Sequence, residues 1–156
     1  MPSLLDSALQ LAAQGFRVFP LTPGGKTPAL ATDWKAIATT EPERIRAMWW
    51  DPVMGVDQPY NVGIATGQGL VVLDVDMKAG KDGERALRLL EMLFEQLPPT
   101  REVRTASGSR HLYFRSDHPV GCSHSRIGEG LDVKGEGGFV VGPGSVIDGF
   151  EYRWAA

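Results

Sequence analysis

Apolar and polar positions alternate through much of the second half of the chain, and that alternation predicts strands. The stretch Gly69-Leu70-Val71-Val72-Leu73-Asp74-Val75-Asp76 is apolar and β-branched, opens on glycine and closes on two carboxylates. Period-two geometry puts Val71, Leu73 and Val75 on one face, and Asp74 and Asp76 on the other, about 7 Å apart along the strand. Glu102–Thr105 and His111–Phe114 predict two strands around the turn Ala106–Arg110. In the second of them His111 and Tyr113 share a face opposite Leu112 and Phe114. Leu131-Asp132-Val133-Lys134 resumes a strand with Asp132 and Lys134 on one face. Gly137–Val141 and Phe150–Trp154 predict further strands, and the polar segment Asp117–Gly130 an exposed loop.

Helical periodicity is confined to three segments. Ser3–Gln14 carries a Leu5, Ala8, Leu9, Ala12 stripe, a capping-box pair Ser3 and Asp6, and a stop at Gly15. Thr40–Trp50 has Thr40 and Glu43 in capping-box spacing and sends Ile45, Met48 and Trp49 toward the core, with Trp34, Trp49 and Trp50 read as packing groups. Asp82–Leu97 has the widest apolar face, Ala86, Leu89, Leu90, Leu93 and Leu97 flanked by Leu87 and Phe94, and Pro98-Pro99 ends it. Arg17–Leu21 reads as a short strand before the tight loop Thr22–Pro28. Asn61–Gly67 reads as a strand forming a β-hairpin with Leu70–Asp76.

At 156 residues, 42% hydrophobic and 22% charged, the chain suits one soluble globular domain. No apolar run approaches the ~20 residues of a membrane span, and the N-terminus has no basic, apolar signal pattern. The single cysteine, Cys122, excludes an internal disulfide and predicts a cytoplasmic protein. A net charge of -3 argues against a free-standing tight DNA binder built on clustered Lys and Arg, while leaving local contact with nucleic acid open.

The chemistry collects on the strands. Asp74 and Asp76, then His111, then Asp132 and Lys134 occupy the polar faces of three predicted strands, so one sheet face would gather three carboxylates, an imidazole and an ammonium. Three such carboxylates can hold two divalent cations, and the turn Ser107–Arg110 offers backbone N–H groups and hydroxyls to a polyphosphate. Each member also has a structural reading: Asp74 and Asp76 as solvated strand-end acids, His111 as a satisfied structural histidine, Asp132 as a strand-end residue, Lys134 as a solvated lysine. Gly25-Lys26-Thr27 does not complete a P-loop, because Pro20 stands where the leading glycine belongs and Pro28 where the helix would begin. Lys26 could still meet a phosphate. His118, Cys122 and His124 cluster in the 117–130 loop but lack the paired spacing and fourth ligand of a structural zinc site.

In order, Leu73-Asp74-Val75-Asp76, Ser107-Gly108-Ser109-Arg110-His111-Leu112-Tyr113-Phe114 and Leu131-Asp132-Val133-Lys134 resemble the three motifs of the bifunctional primase/polymerase domain of the archaeo-eukaryotic primase superfamily, found in plasmids, phages and prophages. Gly15–Leu21 with Gly25–Pro28, Asn61–Gly67, Gly137–Val141 and Gly149–Trp154 resemble the flanking segments, so the likeness spans nearly the whole chain. Gly144, standing where the family has proline, is a departure.

The resemblance implies an α+β fold, with an RRM-like antiparallel sheet carrying the metals and an N-terminal α/β module packed beside it. It implies that Asp74, Asp76 and Asp132 bind two Mg²⁺ or Mn²⁺ ions. Ser109 and His111 would hold the triphosphate, with Ser107, Lys134 and Lys26 as further nucleotide contacts. It implies template-directed nucleotidyl transfer on nucleoside triphosphates and single-stranded or primer-template DNA. Residues 1–156 would be one catalytic domain, the N-terminal part of a larger replication protein working with a helicase in cis or in trans. Two other readings use the same residues: a metal-dependent phosphodiesterase with water as nucleophile, and a replication accessory module that binds nucleotide or DNA without turnover. Consumption of nucleoside triphosphates separates the three.

Overall fold

The computed structural model describes residues 2–156. In chain order the elements are α1 (Leu4–Ala13), β1 (Val18–Leu21), α2 (Trp34–Ile37), α3 (Pro42–Trp49), β2 (Trp50–Asp51), β3 (Val56–Asp57), β4 (Asn61–Ala65) and β5 (Leu70–Val75). They continue with α4 (Gly83–Leu93), β6 (Glu102–Arg104), a 3₁₀ turn (Ala106–Gly108), β7 (Arg110–Arg115), β8 (Ser123–His124), β9 (Leu131–Lys134), β10 (Phe139–Val141), β11 (Val146–Ile147), β12 (Phe150–Glu151) and β13 (Arg153–Trp154). This is an α+β fold whose strand pairings are antiparallel. The chain divides into two compact units. One runs to Ala65 and takes in Phe139–Tyr152; the other comprises Thr66–Gly138 and Arg153–Ala156.

In the first unit, β4 lies between β1 and β10 in a three-stranded sheet. α1 starts where expected: Ser3 accepts the Asp6 N–H at 3.1 Å and Asp6 returns a bond to the Ser3 N–H at 3.0 Å, which satisfies two of the free donors of a helix start. Its Leu5, Ala8 and Leu11 are buried, as are Phe19, Ile45, Trp49 and Ile64. Trp34 stacks on Phe19 with ring centroids 4.8 Å apart and meets Phe139 edge-on, so Trp34 and Trp49 are packing groups, whereas Trp50 is half exposed. The helix expected from Thr40 begins at Pro42, without a side-chain cap. Proline disfavours helical geometry in the residue before it, and Glu41 is accordingly extended, at φ -80° and ψ 117°.

The second unit is built on a six-stranded sheet in the order β13-β6-β7-β5-β9-β8. α4 covers one face, where Leu73, Val75, Leu87, Leu112 and Leu131 form the core. This is the apolar face the alternation predicts.

Three expectations are corrected. The hairpin between Asn61–Gly67 and Leu70–Asp76 does not form beyond the single bridge Gly67↔Leu70. Both edges of β4 are taken by β1 and β10, and both edges of β5 by β7 and β9, so neither strand has a free side for the other. The final strand splits: Phe150–Glu151 pairs with β11, and Arg153–Trp154 pairs with β6. Between them the Tyr152 N–H donates to the Ser145 carbonyl and the Tyr152 carbonyl accepts the Gly144 N–H, so the first pairing runs on to Tyr152 before the chain joins β6. The Asp82–Leu97 helix stops at Leu93. Its sheet side is Gly83 and Leu87, while Leu89, Leu93 and Phe94 are 50%, 75% and 80% exposed. An 11-residue helix over this sheet buries one narrow stripe, so a face as wide as the sequence offers cannot all be covered.

Candidate active site

Strand register builds the site. Asp74, the fifth residue of β5, stands directly opposite His111 on β7 and directly opposite Asp132 on β9. Directly paired residues share a face, so the imidazole and the two carboxylates form one row across the middle of the sheet. Val72, two residues back on that face, pairs with Lys134, which brings the ammonium beside the row. His111 Nε2 is 3.7 Å from Asp74 Oδ1.

Asp76 lies just beyond β5 and is held by its backbone. Its N–H donates to the Gly130 carbonyl at 2.8 Å, and its carbonyl accepts the Gly83 N–H at 3.0 Å. The fit requires glycine: a Cβ on Gly83 would stand 2.7 Å from the Gly130 carbonyl, and Gly130, at φ +83°, would place one 2.9 Å from the Asp76 carbonyl. The Asp76 carboxylate accepts the Lys78 N–H at 2.9 Å and faces Lys81 Nζ at 3.6 Å. Ser109 is buried, and its hydroxyl accepts the Met77 N–H at 2.9 Å while standing 3.4 Å from Asp76 Oδ1. The serine of the predicted phosphate turn therefore clamps the loop after the acids. Ser107 is exposed, in left-handed backbone at φ 61°.

The electrostatics of the row follow from burial. Asp74 is pushed up to about 6, first by burial and then by the charges of Asp76 and Asp132, against the opposing pull of Lys134 and Lys78. His111 is pushed down to about 4 by burial and by the same two lysines, which makes it a neutral imidazole at neutral pH. Burial raises Asp132 as well. The hydrogen bonds from His124 and from the Ser125 N–H outweigh it and hold that carboxyl below the usual range.

Asp74, Asp76, Ser109, His111, Asp132 and Lys134 are thus brought together within one unit. Lys26 lies on an exposed turn of the first unit, closed by Thr22 N–H to Thr27 carbonyl at 2.8 Å. Asn61 supports that turn, donating to the Gly25 carbonyl at 2.8 Å. The sequence reading missed Lys78 and Lys81, though their closeness to the acid pair was a usable signal. It also missed His124 as a partner of Asp132, a contact that only the β8–β9 register creates. His118, Cys122 and His124 do not converge: Cys122 Sγ accepts from the Gly135 N–H at 3.3 Å, and His124 is turned to Asp132.

The donor set suits a hard divalent cation. It is made of carboxylate oxygens, and a bound cation would offset the burial and the charges of Asp76 and Asp132 that together raise Asp74. Among the described residues no group of three or more His, Cys, Asp or Glu side chains gathers to hold a metal alone. Among the described residues no helix is long and apolar enough to cross a membrane.

No curated protein matches the chain. The sequence model of the family described as bifunctional DNA primase/polymerase, N-terminal, does match it, over residues 8–156. With its ordered acids and histidine carried on an antiparallel sheet, this chain belongs to the bifunctional DNA primase/polymerase (Prim-Pol) family.

Proposed function

We propose that the chain catalyses template-directed nucleotidyl transfer, extending DNA with nucleoside triphosphates at a centre formed by Asp74, Asp76 and Asp132 and supported by His111. The observation that carries this reading is the His111–Asp74–Asp132 row beside Asp76. Membership of a DNA primase/polymerase family supports the class of reaction.

Asp74, Asp76 and Asp132 would hold Mg²⁺ or Mn²⁺. The bound ions would supply activation of a 3′-hydroxyl and neutralisation of pyrophosphate charge. The protein's own groups do the rest. Neutral His111 donates a hydrogen bond to a phosphate oxygen without adding a charge that would compete with the cation. Lys134 and Lys78, whose charges already act on Asp74 and His111, draw the triphosphate to the row. Ser109 keeps Asp76 and Met77 in place by the bonds described above. Ser107 is a secondary nucleotide contact in this proposal. Plasmid, phage or prophage replication, with a helicase as partner, is the setting proposed for the activity.

The test is extension of a labelled primer-template with deoxynucleotides and Mn²⁺ or Mg²⁺, run beside Asp74→Asn. Extension lost in the variant supports the reading. Primer shortening without nucleotides would replace it with a phosphodiesterase. Nucleotide or DNA binding without turnover would replace it with an accessory binding role.

A further inference from the structure

Asp132 is gripped from the side away from Asp74. The edge strand β8 pairs with β9 so that His124 stands directly opposite Asp132, and its Nδ1 lies 2.9 Å from the carboxylate. The next residue, Ser125, takes left-handed backbone at φ 48° and donates its N–H to Asp132 Oδ1 at 3.0 Å. The Ser125 hydroxyl accepts the Gly130 N–H at 3.3 Å, and the Gly130 carbonyl receives the Asp76 N–H at 2.8 Å. One short segment, residues 124–130, therefore touches the carboxylate of one acid and the backbone of another.

We propose that His124 is a positioning residue of the acid centre: its Nδ1–H fixes the orientation in which Asp132 presents its remaining lone pairs to a divalent cation. The proposal rests on the reading of Asp132 as a cation ligand. A carboxylate offers about four lone-pair sites, and the His124 and Ser125 bonds leave some of them open. The imidazole is 72% exposed, so its bond adds little to stability and its removal leaves the sheet intact. An exposed partner that hardly stabilises the fold, yet restrains a carboxylate beside Asp74, is placed to tune the site. Its donor at Nδ1 also makes asparagine the conservative replacement, since the Asn amide nitrogen stands at a similar reach from Cβ.

The test measures Mn²⁺ affinity of nucleotide-free protein by calorimetry for wild type, His124→Ala, His124→Asn and Asp132→Asn, with nucleotide KM at saturating Mn²⁺ measured in parallel. Loss of an outer partner of a metal ligand typically weakens binding 10–100-fold, so about tenfold weaker Mn²⁺ binding is expected for His124→Ala. His124→Asn should recover most of it, and the KM should stay unchanged. Wild-type Mn²⁺ affinity in His124→Ala, with Asp132→Asn impaired, would overturn the proposal and leave the function reading standing. Loss as severe as Asp132→Asn in both His124 variants would overturn it too, making the imidazole a ligand. Wild-type protein that binds no Mn²⁺, unchanged by Asp132→Asn, would remove the metal reading itself and this inference with it.

Discussion

Asp74 and His111 are displaced from their ordinary protonation in opposite directions, and the signs decide what acid does to the metal-free protein. Asp74 has a folded value of about 6, above its unfolded value near 3.8, so its contribution is present below 3.8 and is lost as pH rises through about 6. His111 has a folded value of about 4, below 6.5, so its contribution is present above 6.5 and is lost as pH falls through about 4. Each is worth on the order of 3 kcal/mol. The two nearly cancel, and wild type should change little in stability from this pair between about pH 6.5 and 4. Asp74→Asn leaves the histidine unopposed, so that variant should lose stability steadily on acidification over the same range. Urea midpoints in chelator across that range check it; parallel profiles for the two proteins would refute the assignment. Gly130 makes a second prediction at this scale. Gly130→Ala sets a side chain into left-handed backbone and against the Asp76 carbonyl, at a cost of about 1–3 kcal/mol. Mn²⁺ titration should also show weaker binding, because Asp76 is displaced.

Among the elements, α4 separates pattern from burial. Leu87 is 5% exposed against the sheet core, while Met92 is 81% and Leu93 75% exposed on the same helix. Leu87→Ala should destabilise by about 2–5 kcal/mol. Met92→Lys and Leu93→Lys should stay within about 0.5 kcal/mol of wild type. Denaturant midpoints distinguish this from the arrangement the helical stripe alone suggests, in which the leucines would cost alike. At the other end of the chain, Ser3→Ala removes the cap of α1 and should cost about 1 kcal/mol. β7, β5 and β9 matter differently. Their register sets His111, Asp74 and Asp132 in a row, and a shift of one residue in either neighbour would turn its functional group to the α4 face.

For the molecule as a whole, the proposed centre predicts a linkage between cation and fold. Mn²⁺ at a hundred times its dissociation constant should stabilise wild type by about 2.7 kcal/mol, read as a rise in melting midpoint, and should leave Asp132→Asn unmoved. An equal rise in both proteins would place the ion elsewhere. The alternation of apolar and polar residues was sufficient to set the strands around Asp74, His111 and Asp132 and the face each acid occupies, because side-chain direction in a strand is a local property with period two. The capping box of α1 was legible for the same reason: its donors and acceptors lie within one helical turn. Which strands are neighbours was not local. β4 and β5 are adjacent in sequence, yet they go to different sheets because each finds its partners far along the chain. His124 reaches Asp132 only once β8 and β9 have paired, and Gly130 reaches Asp76 only once β5 and β9 have. The sequence by itself determined the chemical groups and their faces. Only the tertiary structure decided their company, since pairing, burial and the pKa shifts that follow depend on contacts between residues distant in the chain.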